Sequence, residues 1–314
     1  MQKKQTSIGL GTWSFGGDKW SHGWGFQNEK ESEKVIIKCL ENGIGLIDTA
    51  PAYGIGKAEE IIGKSITKWR GTRPFLSTKC GQQPRIDGHG FVTNHSKEFI
   101  REEISRSLKR LNVDYLDLVF LHYPSQKESE NFEALEELNS LITEGKINNI
   151  GLSNFDHEKI KKINNYFKIN AIQFKYSMLD RIIDENIINL SKLNNIRLYG
   201  YQPLESGLLT GSFFREKKRS IGPSDWRSRS SLFKKESIDR LHELNTLLAK
   251  LACRFDVSIA TISLSWALQS SNLDTILVGI RSVKQLQQLI KYKKVLLTLS
   301  DLKDIDNLTL KKIV

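Results

Sequence analysis

Residues 75–81, FLSTKCG, begin with the pattern of a buried strand, and a lysine stands where this strand should end. Phe75 and Leu76 open an apolar run, and Lys79 stands at its end. Lysine is almost never fully buried unless a group of opposite charge accompanies it. The segment therefore predicts a strand whose Lys79 meets an acidic partner from elsewhere in the fold.

Seven other apolar runs resemble this one, and segments of helical periodicity separate them. One such segment is 96–112, where apolar residues recur on one helix face and charges lie on the other. Apolar strands that alternate with helices predict a parallel sheet covered on both faces. The eight predicted strands are 8–13, 45–50, 74–79, 117–122, 148–153, 171–176, 196–201 and 274–279.

Eight strand–helix units in 314 residues predict a (β/α)8 TIM barrel, which takes about 250 residues before insertions. The alternative, a doubly wound sheet, carries Gly-x-Gly-x-x-Gly after its first strand. Residues 9–11 and 54–56 supply only Gly-x-Gly, so we prefer the barrel, as a single domain over 1–314. A long loop should follow the seventh strand, and a C-terminal helix should start at the Ser/Asp cap of 300–314.

The composition, with 39% hydrophobic and 26% charged residues, is that of an ordinary soluble chain. We see neither a signal-peptide pattern nor an apolar run long enough to span a membrane. Cys39, Cys80 and Cys253 fit a reducing cytoplasm better than a disulfide framework, and they lack the spacing of a zinc site. We therefore expect a cytoplasmic protein.

Basic residues outnumber acidic ones by 47 to 36, which gives a net charge of +11. The excess is spread along the chain, with one dense run at 213–235. Nucleic acid is one explanation, and an anionic small ligand or solvated surface is another. Spread charge is usually solvated surface, so no nucleic-acid partner is expected.

Ionisable side chains mark the ends of three neighbouring strands. Asp48 lies at the end of the second strand, with Tyr53 in the loop beyond it, Lys79 ends the third and His122 the fourth. These ends meet at one face of a TIM barrel, where active sites are built. An ammonium near Tyr53 should lower the pKa of the phenol from about 10, and Asp48 should keep Lys79 charged. His122 can donate to a developing oxyanion.

The chain resembles the aldo-keto reductase superfamily nearly from end to end. The motifs occur in the family's order: GLGTWSFGG, IDTAPAYGIGKAEEIIG, STKCG, LHYP, GLSNF, QFKYSMLD, YQPLESGLLTG, DWRS and LVGIRSVKQLQQ. The resemblance implies a TIM barrel that reduces carbonyls with NADPH, with Asp48, Tyr53, Lys79 and His122 as its catalytic tetrad. Tyr53 would give the proton while the nicotinamide gives the hydride, and both roles would reverse in oxidation.

The resemblance also implies an NADPH site. Ser153, Asn154 and Gln173 should hold the carboxamide, and Tyr201 should stack on the nicotinamide ring. Arg281 and Ser282 should bind the 2′-phosphate, which favours NADPH over NADH. The other expected contacts are Trp13, the loop residues Leu204, Ser206, Gly207 and Leu209 near the pyrophosphate, Gly279, and Gln285 and Gln288 near the adenine.

Several expectations concern the loops. Glu205 replaces a usual glycine. Because its carboxylate would repel a pyrophosphate, it should face a cationic substrate group or the lid, which is the segment 224–236 of the long loop after the seventh strand. Trp226 and Arg227 should close over the cofactor. An aromatic substrate pocket is expected from Trp13, Trp20, Trp24, Phe26 and Tyr123. No metal is expected, because His22, His89 and His95 lack ligand spacing.

The preferred function is an NADPH-dependent reductase of an aldehyde, ketone or sugar-like carbonyl, working as a monomer or small homo-oligomer. The alternative is a nucleotide-binding sensor or regulatory subunit with slow turnover, since such members of the superfamily keep the tetrad. Only about seven residues precede the first predicted strand, fewer than such a subunit is expected to use on a partner.

Overall fold

The computed structural model describes residues 7–86, 90–181, 185–214, 221–270 and 272–309. Eight parallel strands close into a barrel in the order β1, β10, β9, β8, β7, β6, β3, β2, and β4 and β5 form a separate hairpin. The strands are β1 (Ser7–Gly11), β2 (Leu46–Asp48), β3 (Phe75–Cys80), β4 (Gln82–Pro84), β5 (Phe91–Thr93), β6 (Leu118–Leu121), β7 (Ile150–Ser153), β8 (Ala171–Lys175), β9 (Arg197–Tyr201) and β10 (Thr275–Gly279).

Helices surround this barrel, so the predicted TIM barrel is confirmed. In the described part of the chain, no helix combines the length and the apolar character needed to cross a membrane. The helices are α1 (Glu29–Glu41), α2 (Lys57–Lys68), α3 (Lys97–Leu111), α4 (Glu128–Thr143), α5 (His157–Asn164), α6 (Glu185–Asn194), α7 (Lys235–Arg240), α8 (His242–Phe255), α9 (Ile259–Ser270), α10 (Val283–Leu289) and α11 (Leu299–Thr309).

Large side chains fill the inside of the barrel. Phe120 and Tyr199 meet edge to face, with ring centroids 5.7 Å apart, and Leu277 packs in the same cluster. Gly151 makes room for them, since a Cβ there would lie 2.4 Å from the Phe120 ring. The barrel is therefore a packed core, and a ligand must bind at one of its ends.

The C-terminal helix begins slightly earlier than the sequence predicts. Thr298 and Asp301 form its cap, because Thr298 N donates to Asp301 Oδ2 at 2.8 Å and Asp301 N donates to Thr298 Oγ1 at 3.2 Å. The predicted cap at Ser300 is wrong, since the reciprocal pair needs a hydroxyl three residues before the acid. The predicted segment continues to residue 314, and 310–314 lie outside the described residues.

The segment after β9 contains short 3₁₀ turns rather than a structureless loop. These turns are Glu205–Thr210, Trp226–Arg229 and Ser231–Phe233, and α7 follows them. Part of the basic run, 215–220, lies outside the described residues. The hairpin of β4 and β5 is an addition that was not predicted from the sequence, because its strands have only three residues each, too few to show a hydrophobic period.

Two buried carboxylates from the surrounding helices hold the end of β3 in place. Glu59 of α2 accepts from Thr78 Oγ1 at 2.8 Å and from Arg110 Nε at 2.7 Å. Glu103 of α3 accepts from the backbone N–H of Gly81 at 2.7 Å. Both acids are at most 4% exposed. They hold the residues on either side of Lys79, which places this side chain accurately in the barrel mouth.

Replacing Glu103 by glutamine should stabilise the protein at alkaline pH. Burial raises the pKa of Glu103 to about 8. The stabilisation from its native-state proton is therefore complete below the ordinary pKa of 4.5 and is lost progressively between that value and about pH 8. Glu103→Gln keeps an acceptor for Gly81 and has no charge to bury.

Thermal melts should show Glu103→Gln several degrees more stable than the unmodified protein at pH 9, with a smaller difference at pH 6. The control is Glu102→Gln, at the neighbouring exposed position. An equal change at both pH values would mean that Glu103 does not titrate in this range.

Candidate active site

The C-terminal ends of the barrel strands surround a cleft of about 660 Å³. The predicted tetrad, Asp48, Tyr53, Lys79 and His122, lines it together. The predicted cofactor residues that also line it are Trp13, Ser153, Asn154, Gln173, Tyr201, Leu204, Ser206, Gly207, Gly279, Arg281, Gln285 and Gln288. Sixteen of the 35 residues that line the cleft are therefore ones that the sequence predicted for catalysis or cofactor binding.

Asp48 and Lys79 form a buried ion pair at the base of the cleft. Lys79 Nζ lies 2.6 Å from Asp48 Oδ2, and the two side chains are only 2% and 5% exposed. Lys79 also donates to the carbonyl of Thr49 at 2.9 Å. Asp48 Oδ1 accepts from Ser77 Oγ at 2.8 Å and from Gln173 Nε2 at 3.1 Å. These extra hydrogen bonds are what a buried pair needs to offset its lost hydration.

Ser77 is a site residue that the sequence analysis missed. It precedes Lys79 by two residues on β3, so the two side chains point to the same face of the strand. The spacing of two residues from Lys79 could have identified Ser77 from the sequence. In the register of the barrel, Ser77 lies directly opposite Asp48 of β2, which explains their hydrogen bond.

Tyr53 presents its hydroxyl to the cleft. Lys79 Nζ lies 5.1 Å from the centre of its ring, and the hydroxyl has no hydrogen-bond partner among the described residues. The expectation that Lys79 lowers the pKa of Tyr53 is wrong for this structure. Burial raises that pKa well above its usual value, and the nearby Asp48 carboxylate raises it further. Tyr53 is therefore a protonated phenol at neutral pH, able to donate to a ligand.

His122 follows β6 and packs its ring edge-on against Tyr53, with centroids 6.2 Å apart. Burial, with the charge of Lys79 adding, holds the pKa of His122 well below its usual range. The imidazole is thus neutral at physiological pH. A neutral ring beside a neutral phenol can orient a polar group without adding charge to the site.

Aromatic side chains form the outer wall of the cleft. Trp13 stacks on Trp226 at 5.4 Å and meets Trp24 edge to face at 5.1 Å. Phe26 was predicted here, but it is 75% exposed and lies outside the lining. The sequence analysis missed Phe91, which the unpredicted hairpin brings to 6.1 Å from the Trp20 ring. The predicted lining residues that are present are Trp13, Trp20, Trp24 and Tyr123.

Polar side chains at the ends of β7, β8 and β9 are linked to one another. Asn154 Nδ2 donates to Ser153 Oγ at 3.1 Å, and Tyr201 Oη donates to Asn154 Oδ1 at 2.7 Å. Gln173 joins Ser153 to Asp48, since it accepts from Ser153 Oγ at 3.4 Å while donating to the carboxylate. Asn154 itself has a left-handed φ of 64°. Asn154 Nδ2 also donates to the carbonyl of His122 at 2.9 Å, so these side chains are held in place, and their amide oxygens can still accept from a planar carboxamide.

The loop after β9 has an unusual backbone. Glu205, Ser206 and Gly207 have φ values of 44°, 53° and 102°, in the left-handed region. Ser206 lines the cleft, and its buried hydroxyl has no hydrogen-bond partner in the part of the chain that the structure describes. Leu209 does not fit its predicted role, because it is 2% exposed, lies outside the lining and donates its N–H to the carbonyl of Leu204 at 3.2 Å.

The prediction for Glu205 is wrong. Its side chain is 3% exposed and faces neither the lid nor the cleft. Glu205 Oε1 lies 2.5 Å from Lys175 Nζ, and Oε2 accepts from Ser177 Oγ at 2.6 Å. Lys175 supplies the compensating charge, so this carboxylate would not confront a bound pyrophosphate as a free anion.

Arg281 and Ser282 already have protein partners. Ser282 Oγ caps α10 by accepting from Gln285 N, and Ser282 is outside the lining of the cleft. The Arg281 guanidinium donates to Gln27 Oε1 at 2.9 Å and to the carbonyls of Trp24 and Phe26 at 3.0 and 2.7 Å. Neither side chain is arranged as the predicted 2′-phosphate ligand.

The lid residues lie partly inside the cleft. Arg227 is 2% exposed, pairs with Asp225 at 2.5 Å, donates to the carbonyl of Ser206 at 2.9 Å and lines the cleft. Trp226 packs on the Trp13 ring. Within the described ranges, no three His, Cys, Asp or Glu side chains are grouped to hold a metal ion. His89 lies outside those ranges.

Comparison with known proteins places this site in a family. The model of the aldo/keto reductase family matches residues 7–309. The chain belongs to the aldo/keto reductase family. The sequence-based resemblance is thereby confirmed.

Individual family members are similar over nearly their whole length. The NADH-specific methylglyoxal reductase of Escherichia coli is 34% identical over 90% of this chain and 87% of its own. The aldo-keto reductase YhdN of Bacillus subtilis is 34% identical over 96% of this chain and 89% of its own. The structure of glycerol dehydrogenase AKR11B4 from Gluconobacter oxydans aligns with a TM-score of 0.84, at 26% identity, over 100% of this chain and 97% of that one.

Aldo/keto reductases use nicotinamide cofactors, and the residues of this cleft fit one. The linked amides of Asn154 and Gln173 match a carboxamide. The unpartnered hydroxyl of Ser206 is a donor for a phosphate oxygen. At Gly279 a Cβ would meet nothing within 4 Å, so the backbone is open to close approach.

Replacing Asp48 by asparagine should strongly destabilise the protein. The change leaves the Lys79 ammonium buried without its counter-charge, which typically costs about 3–5 kcal/mol in the free energy of unfolding. Ser77→Ala is the matched control, because it removes one hydrogen bond to the same carboxylate and should cost less, about 2 kcal/mol. Denaturant unfolding measures both. Equal, small losses would show that the ion pair is not the dominant interaction.

Proposed function

We propose that this aldo/keto reductase reduces a small aldehyde or ketone, including sugar-like carbonyls, to the alcohol. The observation that carries the proposal is the Tyr53 hydroxyl, which has no partner among the described residues and faces an aromatic cleft beside the Asp48–Lys79 pair. A carbonyl oxygen is an acceptor that this phenol can hydrogen-bond. Oxidation of the alcohol would use the same groups in reverse.

When bound, a reduced nicotinamide supplies the hydride. Asn154 and Gln173 would hold its carboxamide, and Tyr201 would contact the ring face. Tyr53 then donates the proton to the carbonyl oxygen as negative charge develops there. Lys79 lies 5.1 Å from the Tyr53 ring, and its positive charge stabilises the phenolate that proton transfer leaves. His122, neutral because of its burial, orients the oxygen by a hydrogen bond.

The aromatic wall supports a small, uncharged substrate. Trp13, Trp20, Trp24 and Phe91 offer apolar faces near Tyr53, whereas the cationic groups lining the described cleft already have partners. The relatives named for methylglyoxal and glycerol act on short oxygenated carbon chains, and we propose the same size class here.

The cofactor is proposed to be either NADH or NADPH. The NADPH preference predicted from the sequence rests on Arg281 and Ser282, and the contacts of both residues argue against a dedicated 2′-phosphate site. One relative is named NADH-specific. Cys39, Cys80 and Cys253 are unpaired, which supports the proposed cytoplasmic location.

Tyr53→Phe should keep dinucleotide binding and lose most carbonyl reduction, by a factor of about 100 or more, because only the proton donor is removed. Tyr166→Phe is the matched control, since it deletes a phenolic hydroxyl at an exposed position outside the cleft lining and should retain activity. Nicotinamide absorbance with methylglyoxal and a panel of aldehydes measures turnover. An active Tyr53→Phe enzyme would contradict the assignment of the proton donor.

The rate of reduction should be nearly constant between about pH 6 and pH 9. His122 stays neutral because its pKa is lowered, and Tyr53 stays protonated because its pKa is raised. Steady-state kinetics at saturating dinucleotide test this, with thermal melts as the control because Glu103 titrates near 8. A fall in rate near pH 6.5 would contradict the prediction that His122 stays neutral. A fall in rate near pH 8, in an enzyme that is still folded, would contradict the prediction that Tyr53 stays protonated.

A further inference from the structure

The loop 20–27, which joins the first strand region to α1, forms part of the cleft wall. Trp20, His22 and Trp24 from this loop line the cleft. Gly25 turns the chain with a left-handed φ of 74°. On either side of this turn, the carbonyls of Trp24 and Phe26 both accept from one side chain, Arg281.

Arg281 and Gln27 hold each other through both side chain and backbone. Gln27 Oε1 accepts from Arg281 Nε at 2.9 Å, and Gln27 Nε2 donates to the carbonyl of Arg281 at 3.0 Å. The same amide nitrogen donates to Ser32 Oγ of α1 at 3.0 Å. The guanidinium thus meets three acceptors from three different nitrogens in one fixed plane, a geometry that the compact ammonium of a lysine does not reproduce.

The other side of the loop is fastened to the lid. Trp226 N donates to the carbonyl of Gly23 at 2.8 Å, and Trp24 pairs with Asp225 in an isolated β-bridge. The guanidinium of Arg227 lies 4.6 Å above the Trp24 ring. The loop therefore bridges the segment after β10 and the lid, and it closes one side of the cleft.

A 2′-phosphate would have to share the guanidinium with this arrangement. All three nitrogens of the guanidinium already donate, to Gln27 and to two backbone carbonyls, and a side-on phosphate contact through Nε would displace Gln27. The other cations that line the described cleft are Lys79 and Arg227, and they pair with Asp48 and Asp225. The nearby Lys284 is exposed and does not line the cleft.

We propose that Arg281 is a positioning residue that fastens the loop 20–27 over the cleft and does not select between NADH and NADPH. The inference rests on the proposed function, because it takes the cleft as the dinucleotide site. It differs from the role that the family resemblance implies for this residue. It predicts that losing Arg281 weakens both dinucleotides by the same factor.

Four variants distinguish a loop-positioning role of Arg281 from a 2′-phosphate ligand. Each variant is titrated with NADH and with NADPH, and binding is measured by the quenching of intrinsic tryptophan fluorescence. Arg281→Ala should raise the Kd of NADH and of NADPH together, each by about tenfold. Gln27→Ala should raise both Kd values too, although Arg281 itself is kept. Arg281→Lys should behave like alanine, because lysine retains the charge but not the fork. Lys284→Ala, which removes one charge from the same segment, should change neither.

A 2′-phosphate ligand would give different results. Arg281→Ala would weaken NADPH alone, Arg281→Lys would keep much of the NADPH affinity, and Gln27→Ala would leave NADPH unchanged or tighter. Any of these would overturn the inference. Unchanged Kd values for both dinucleotides in Arg281→Ala would also overturn it.

Hydrogen exchange without any dinucleotide tests the fastening separately from the proposed function. Amides of the loop 20–27 should exchange faster in Arg281→Ala and Gln27→Ala than in the unmodified protein, while amides of the barrel strands keep their protection. If the loop exchanges at the same rate in all variants, the inference fails. If the loop loosens as expected but no carbonyl is reduced, only the proposed function fails.

Discussion

The buried ion pair between Asp48 and Lys79 is the constraint on which the site depends. Two charges that are 2% and 5% exposed are stable there only because other donors complete the shell of the carboxylate. Ser77 and Gln173 supply those donors, and the Thr49 carbonyl takes another proton of the ammonium. Since these residues come from β2, β3 and β8, the pair ties strands on opposite sides of the barrel to one centre.

Around this rigid centre, the cleft is built from loops that hold one another by hydrogen bonds and stacked rings. Trp13, Trp24 and Trp226 form one such cluster, and Arg227 joins the lid to the loop after β9 through the Ser206 carbonyl. The barrel strands thus place the reacting groups, and the loops set the shape of the space for cofactor and substrate. This division allows one fold to serve different carbonyls.

The protonation of Tyr53 illustrates why counting charges is insufficient. The sequence argument weighed only the ammonium of Lys79, which by itself favours the phenolate. In the structure, burial and the Asp48 carboxylate outweigh it and raise the pKa. For the proposed carbonyl reduction this outcome is suitable, because the proposed donor, Tyr53, must carry its proton before the reaction starts. The Lys79 charge becomes important only as the phenolate develops.

The eight strands, the helix 96–112 and the meeting of Asp48, Tyr53, Lys79 and His122 at one cleft could be predicted from the sequence alone. Periodicity is local, and barrel topology brings consecutive strand ends together whatever the loops do. Three other features could not be predicted: the hairpin carrying Phe91, the buried partners of Glu205 and the hydrogen bonds of the Arg281 guanidinium. Each depends on contacts between loops that are distant in sequence, as Gln27 and Arg281 are, and loop sequences carry no period that fixes such contacts. Residue types and strand order therefore determined the chemistry, whereas tertiary packing decided which charged groups remain available to a ligand.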